Sequence, residues 1–156
     1  MDAIALLKQD HQMVKQLFRE FEGLGDRAYV SKQRVVNQAL QELEVHAALE
    51  EEIFYPAVDA TATKEGKKLV DEAIEEHQVV KVLMAELQAL IPKDERFDAK
   101  FTVLIEDVEH HIEEEETELL PDAAKRPAGE LDDLGDQLQR RKAALQAALA
   151  AGSPSA

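Results

Sequence analysis

Five histidines are the residues best equipped for chemistry in this chain, and four of them are spaced as two copies of one pattern. His11-Gln12-x-Val14-Lys15-x-Leu17 recurs 66 residues on as His77-Gln78-x-Val80-Lys81-x-Leu83, each histidine preceded by an acid, Asp10 or Glu76. His46-x-x-x-Glu50, with Pro56 downstream, recurs 65 residues on as His111-x-x-x-Glu115, with Pro121 downstream. A histidine and a glutamate four residues apart on a helix share one face, a turn apart. Imidazole nitrogen and carboxylate oxygen, in a chain without cysteine, suit Fe, Mn or Zn. Six such groups inside an apolar core would be costly to bury unless paired. Two cations, each taking two histidines with the two glutamates bridging, would turn all six into ligands. A lone inward histidine is ordinarily a hydrogen-bonded core residue, but four in register with two acids at i+4 favour metal.

Four segments with apolar residues at helical spacing must position these groups. The first runs from Asp2, an N-capping type, to Gly23, with Ile4, Leu7, Val14, Phe18 and Phe21 on its stripe. A second from about Ser31 carries Val36, Ala39, Leu40, Leu43, Ala47 and Phe54, and Pro56 marks its last turn or a kink. After a loop over Asp59 to Gly66, a third carries Val70, Ala73, Val80, Met84 and Leu87 and stops before Pro92. The fourth starts near Asp98, uses Phe101, Leu104, Ile105, Val108 and Ile112, and ends near Pro121. At 100° per residue, His11 and His77 fall within these stripes, and both His-x-x-x-Glu pairs face inward. Short connections predict an all-α, up-down-up-down antiparallel four-helix bundle over residues 1–125. A C-terminal helix over 126–150 should pack across the bundle end, and a mobile tail is expected at 151–156.

Composition narrows the rest. The chain has 156 residues, enough for one domain with its own core. Abundant Ala, Leu, Glu, Gln and Lys, with only 4% aromatics and no Trp, disfavour an all-β fold. A net charge of −15 argues against nucleic acid or an anionic membrane as partner. Without cysteine there is no disulfide, iron–sulfur cluster or catalytic thiol. The N-terminus lacks the pattern of a secretory leader and no long apolar run occurs, so a cytoplasmic location is expected.

The remaining candidates are weaker. His110 lies 100° round the helix from His111 and is expected at the surface or behind a ligand. Glu51, Glu52, Glu113, Glu114 and Glu116 read as a solvated face. Asp10 and Glu76 are also expected to face solvent. Phe18, Phe54, Phe101 and Ile112 are expected to wall the site, with core packing an equal explanation. Of the two tyrosines, Tyr55 is better placed than Tyr29 to hydrogen-bond near a metal.

At DHQMVKQLF, HAALEEEIFYP, EHQVVKVLM and HHIEEEETELLP the chain resembles the hemerythrin-like family, the HHE cation-binding domain, over roughly residues 3 to 122. The resemblance implies two iron ions with an oxo or hydroxo bridge, held by His11, His46, Glu50, His77, His111 and Glu115. It implies small ligands: dioxygen, hydrogen peroxide or nitric oxide. Oxygen-carrying members have a fifth histidine four residues before the third-helix ligand, where this chain has Ala73. That departure makes simple oxygen carriage less secure and suits sensing, catalase-like or peroxidase-like chemistry. The iron–sulfur repair members carry an extra Cys-bearing region, and these residues hold no Cys, so that role is not expected; the Glu-x-x-His of ferritin-type bundles does not occur. Two other readings stay open: a metal-free structural or interaction bundle, and iron storage or delivery.

Overall fold

The computed structural model describes residues 1–60 and 62–152, and these are helical throughout apart from short links. The long helices are α1 (Ala3–Glu22), α2 (Tyr29–Leu49), α4 (Lys64–Gln88), α5 (Phe97–Glu114) and α7 (Ala128–Gly152); α3 (Tyr55–Asp59) and α6 (Leu120–Ala123) are short. The starts follow capping chemistry. Ala5 N donates to the Asp2 carboxylate at 2.8 Å, and Gly66 N donates to Thr63 Oγ1 at 3.1 Å, so α4 begins inside the stretch expected as loop. By contrast, α2 starts at Tyr29 without a side-chain cap, ahead of Ser31.

Both His-x-x-x-Glu helices widen into a π turn at the glutamate, over Glu50–Phe54 and Glu115–Leu119. Pro56 and Pro121 sit just beyond and cannot donate a backbone hydrogen bond, while the residue before each, Tyr55 or Leu120, donates five residues back to Glu50 or Glu115. Such turns insert one residue into the helix and are common at functional sites.

The apolar residues form two cores. One holds Val14, Phe18 and Phe21 of α1, Leu43 of α2, Val80 of α4 and Phe101 and Val108 of α5. Its Phe101 ring meets Phe18 and Phe21 edge-on at centroid distances of 5.8 and 4.6 Å. The other holds Leu7, Leu49, Phe54, Tyr55, Ala73, Leu119, Leu120 and Leu138. Asp10, His11, His46, Glu50, His77, His111 and Glu115 form a buried polar layer, which along α1 and α4 falls between the two cores in sequence.

Helix α7 packs along α1, α2 and the first π turn rather than across the bundle end. Gly135 makes the approach possible, because a Cβ there would sit 2.3 Å from the Met1 carbonyl oxygen. Further along, Arg141 Nε donates to Glu52 and Lys142 Nζ to Asp10. Of the tail expected at 151–156, Ala151 and Gly152 belong to α7 and residues 153–156 lie outside the described residues.

Candidate metal centre

All six sequence candidates meet in the polar layer. His11, His46, Glu50 and Glu115 offer one group of nitrogen and oxygen atoms within 4.8 Å of one another, and Glu50, His77 and His111 offer a second. The inner contacts are ring Nε2 atoms against glutamate oxygens: His11 to Glu115 at 3.1 Å, His46 to Glu50 at 3.3 Å, His77 to Glu50 at 3.0 Å and His111 to Glu115 at 3.3 Å. Glu50 belongs to both groups, and the two oxygens of Glu115 point to histidines of different groups.

The other nitrogen of each ring is taken. His46 Nδ1 donates to Asp10 at 2.9 Å, His111 Nδ1 to Glu76 at 2.8 Å, His77 Nδ1 to Glu51 at 2.8 Å and His11 Nδ1 to Glu116 at 2.6 Å. A carboxylate only accepts, so each Nδ1 carries a proton, and a ring that holds no second proton turns its Nε2 lone pair inward. Lone pairs then face the lone pairs of Glu50 and Glu115, an arrangement that asks for positive charge between them. His11 Nε2, His46 Nε2, Glu50 Oε2 and Glu115 Oε1 are buried with no hydrogen-bond partner, which is the condition a metal cation relieves.

Electrostatics point the same way. Burial disfavours an imidazolium at His46, yet Glu50 and Asp10 push its pKa up to about 10. His111 is likewise opposed by burial and raised to about 12 by Glu115, Glu50 and Glu76. Burial pushes the Glu50 carboxyl up, but His46 and the surrounding hydrogen bonds hold it well below its ordinary value. The carboxylates around the rings thus favour positive charge in the pocket.

The outer carboxylates correct the expectation that Asp10 and Glu76 face solvent and that Glu51 and Glu116 belong to a solvated face. Asp10 is 4% exposed, and the Glu51, Glu76 and Glu116 side chains are about a quarter exposed. A residue next to an inward ligand points sideways on its own helix, and in a bundle the sideways direction is the neighbouring helix. The duplication held the missed signal: acids precede His11 and His77, and acids follow Glu50 and Glu115. Carboxylates behind metal-bound imidazoles fix ring orientation and raise basicity.

Tyr55 lies in the layer. Its hydroxyl donates to Glu115 at 2.6 Å, with Glu50 at 3.1 Å and His77 Nε2 at 3.3 Å. Burial, then Glu50 and Glu115, pushes its pKa well above the ordinary value, so the phenol keeps its proton. Tyr29 stands away from the site, its ring under Lys93. His110 is exposed and pairs with Glu114 at 3.0 Å. Of the four expected wall residues, Ile112 lines the cavity on the histidine side, whereas Phe18, Phe54 and Phe101 pack in the cores. That cavity, of about 40 Å³, meets all four inward histidines and is otherwise walled mainly by Val14, Leu43, Val80, Met84, Val108 and Ile112.

A model of the hemerythrin HHE cation-binding domain matches residues 2–123, the span that carries all six groups. The chain belongs to the hemerythrin HHE family. An uncharacterized protein of Mycobacterium tuberculosis, Rv2633c, is 30% identical over 147 residues, covering 90% of this chain and 85% of its own. An uncharacterized hemerythrin-like protein of Schizosaccharomyces pombe is 28% identical over 113 residues, covering 72% of this chain; the match spans 55% of that protein. The crystal structure of an HHE domain protein from Mycobacterium kansasii, an Rv2633c homolog, superposes with a TM-score of 0.85 at 22% identity, over 99% of this chain and 93% of that one. This hemerythrin-family chain is thus an all-helical cation-binding domain with a His/Glu cluster able to hold metal. Among the described residues no helix is long and apolar enough to cross a membrane.

Proposed function

We propose that the chain holds two iron ions, one among His11, His46, Glu50 and Glu115 and one among His77, His111 and the same two glutamates, and uses them to bind dioxygen, peroxide or nitric oxide. The observation that carries this reading is the set of four imidazoles whose Nδ1 protons are all held by carboxylates, leaving Nε2 toward two buried glutamates. Charge supports it. Two inner and four outer carboxylates carry six negative charges, Lys81 on Glu51 and Lys142 on Asp10 return two, and the remaining four match two divalent cations. Nitrogen and oxygen donors accommodate Mn or Zn as well.

When bound, a pair of irons supplies electrons and open coordination positions to small oxidising ligands. The chain's own residues do the rest. Asp10, Glu51, Glu76 and Glu116 hold the rings in one tautomer, and Tyr55 keeps a proton at Oη against Glu115. The apolar cavity excludes water from the histidine side and has room for a molecule of a few atoms. The two cores alternate in order along α1, α2, α4 and the run of α5 through its π turn into α6, which supports an up-down-up-down bundle with α7 as an addition. A cytoplasmic protein without nucleic-acid or membrane partners completes the reading.

Iron-supplemented preparation should give about two irons per chain and a near-ultraviolet charge-transfer band. A metal-free preparation of equal stability would favour the alternative of a structural bundle. Peroxide removal by the loaded chain, lost in His77→Ala, would mark an enzyme; no turnover at any peroxide level would mark binding or sensing.

A further inference from the structure

The cavity against the four histidines is separated from the surface by a thin wall. A cleft of about 440 Å³ between α2 and α4 is lined by Glu44, Ala47, Ala48, Glu51, Lys81 and Met84, among others. Three of these, Ala47, Lys81 and Met84, also line the inner cavity. The partition therefore consists of one methyl group, one flexible thioether and one lysine stem. Lys81 is held across it by Glu51 at 2.7 Å, and Glu51 also accepts from His77 Nδ1.

The duplication shows that this thinness is particular to one face. By the repeat offsets, Ala47 corresponds to Ile112 and Met84 to Phe18. Those counterparts are buried, Phe18 completely, and fill the pseudo-equivalent place with a branched chain and a rigid ring. Where one copy is walled shut, the other has the smallest side chain bearing a Cβ and the most adaptable large one.

We propose that Ala47 and Met84 form the portal through which small, uncharged molecules reach the histidine face, with the Lys81–Glu51 pair across its mouth. The inner wall is apolar, and Glu44, Glu51 and Glu52 line the outer cleft, so neutral molecules of two to four atoms are favoured over anions. This proposal rests on the reading of the site as one that binds small ligands, and it adds the route and the class they share.

The test rebuilds the closed face on the open one with Ala47→Ile and Met84→Phe, side chains the other repeat already carries beside its own histidine. Nitric oxide association with the iron(II)-loaded chain, followed by stopped flow, should slow about tenfold in the double variant at unchanged iron content. Association within twofold of the parent would overturn the portal. A second measurement needs no metal: in the full chain without added iron, dioxygen under pressure should broaden the methyl resonances of Val14, Val80 and Val108, and less so in the double variant. Equal broadening in both would overturn the portal. A parent that takes up no iron but shows the dioxygen difference would refute the iron reading and leave the portal standing.

Discussion

The α1–α2 half of the site and the α4–α5 half present the same groups to the centre and differ in what stands behind them. Behind His46, Asp10 is sealed from water and held by Lys142 of α7 at 2.6 Å. Behind His111, the corresponding Glu76 is partly exposed, with Glu114 and His110 nearby. Beyond the glutamates, Tyr55 of the first repeat corresponds to Leu120 of the second, and four residues before the first-type histidine Leu7 corresponds to Ala73. The difference teaches that the two repeats share what points inward, together with the carboxylates that orient it, and differ in the surroundings, with α7 packed against α1 and α2.

The comparison can be broken most severely at the residue both halves share. Glu50→Ala should empty both positions, lowering bound iron from about two to below one per chain by elemental analysis, because Glu50 stands in both ligand groups. Next in size, Asp10→Ala should weaken binding about 10–100-fold, and Glu76→Ala should lie at the lower end of that range because water can replace a partly exposed carboxylate. Competition with a chromophoric chelator would measure both.

A pH series on the metal-free chain sharpens the same contrast. His46 and His111 have pKa values raised above their ordinary 6.5, to about 10 and about 12. Their contribution to stability is complete below about pH 6.5 and is lost as pH rises through those values. Denaturant midpoints should therefore fall between about pH 6.5 and 10, and less so in Asp10→Ala, which lacks one of the groups that raises His46. Lys142→Met strips a buried carboxylate of its cation and should cost about 1–3 kcal/mol by urea unfolding. At the small end, Arg141→Ala breaks an exposed pair with Glu52 and should leave unfolding unchanged within error.

Much of this architecture is legible in the sequence, for reasons particular residues explain. Helical spacing of Leu7, Val14 and Phe18, or of Val70, Val80 and Met84, fixes which way a helix faces, and His11 and His77 ride on those stripes. The His-x-x-x-Glu pairs carry their own geometry. The places of Asp10, Glu51, Glu76 and Glu116 are not legible in this way, because a single-helix projection knows inward from outward but not which neighbour stands alongside. The place of Tyr55 depends on the π turn at Glu50, an inserted residue that regular periodicity does not register. The course of α7 depended on Gly135 meeting the backbone at Met1, a contact across more than a hundred residues of sequence.

The most direct test of the central claim is anomalous diffraction at the iron edge from crystals of the iron-loaded chain. The account predicts two peaks within the polar layer, one bounded by His11, His46, Glu50 and Glu115 and one by Glu50, Glu115, His77 and His111. Iron bound elsewhere, or an iron-supplemented crystal with no anomalous peak among these side chains, would contradict it.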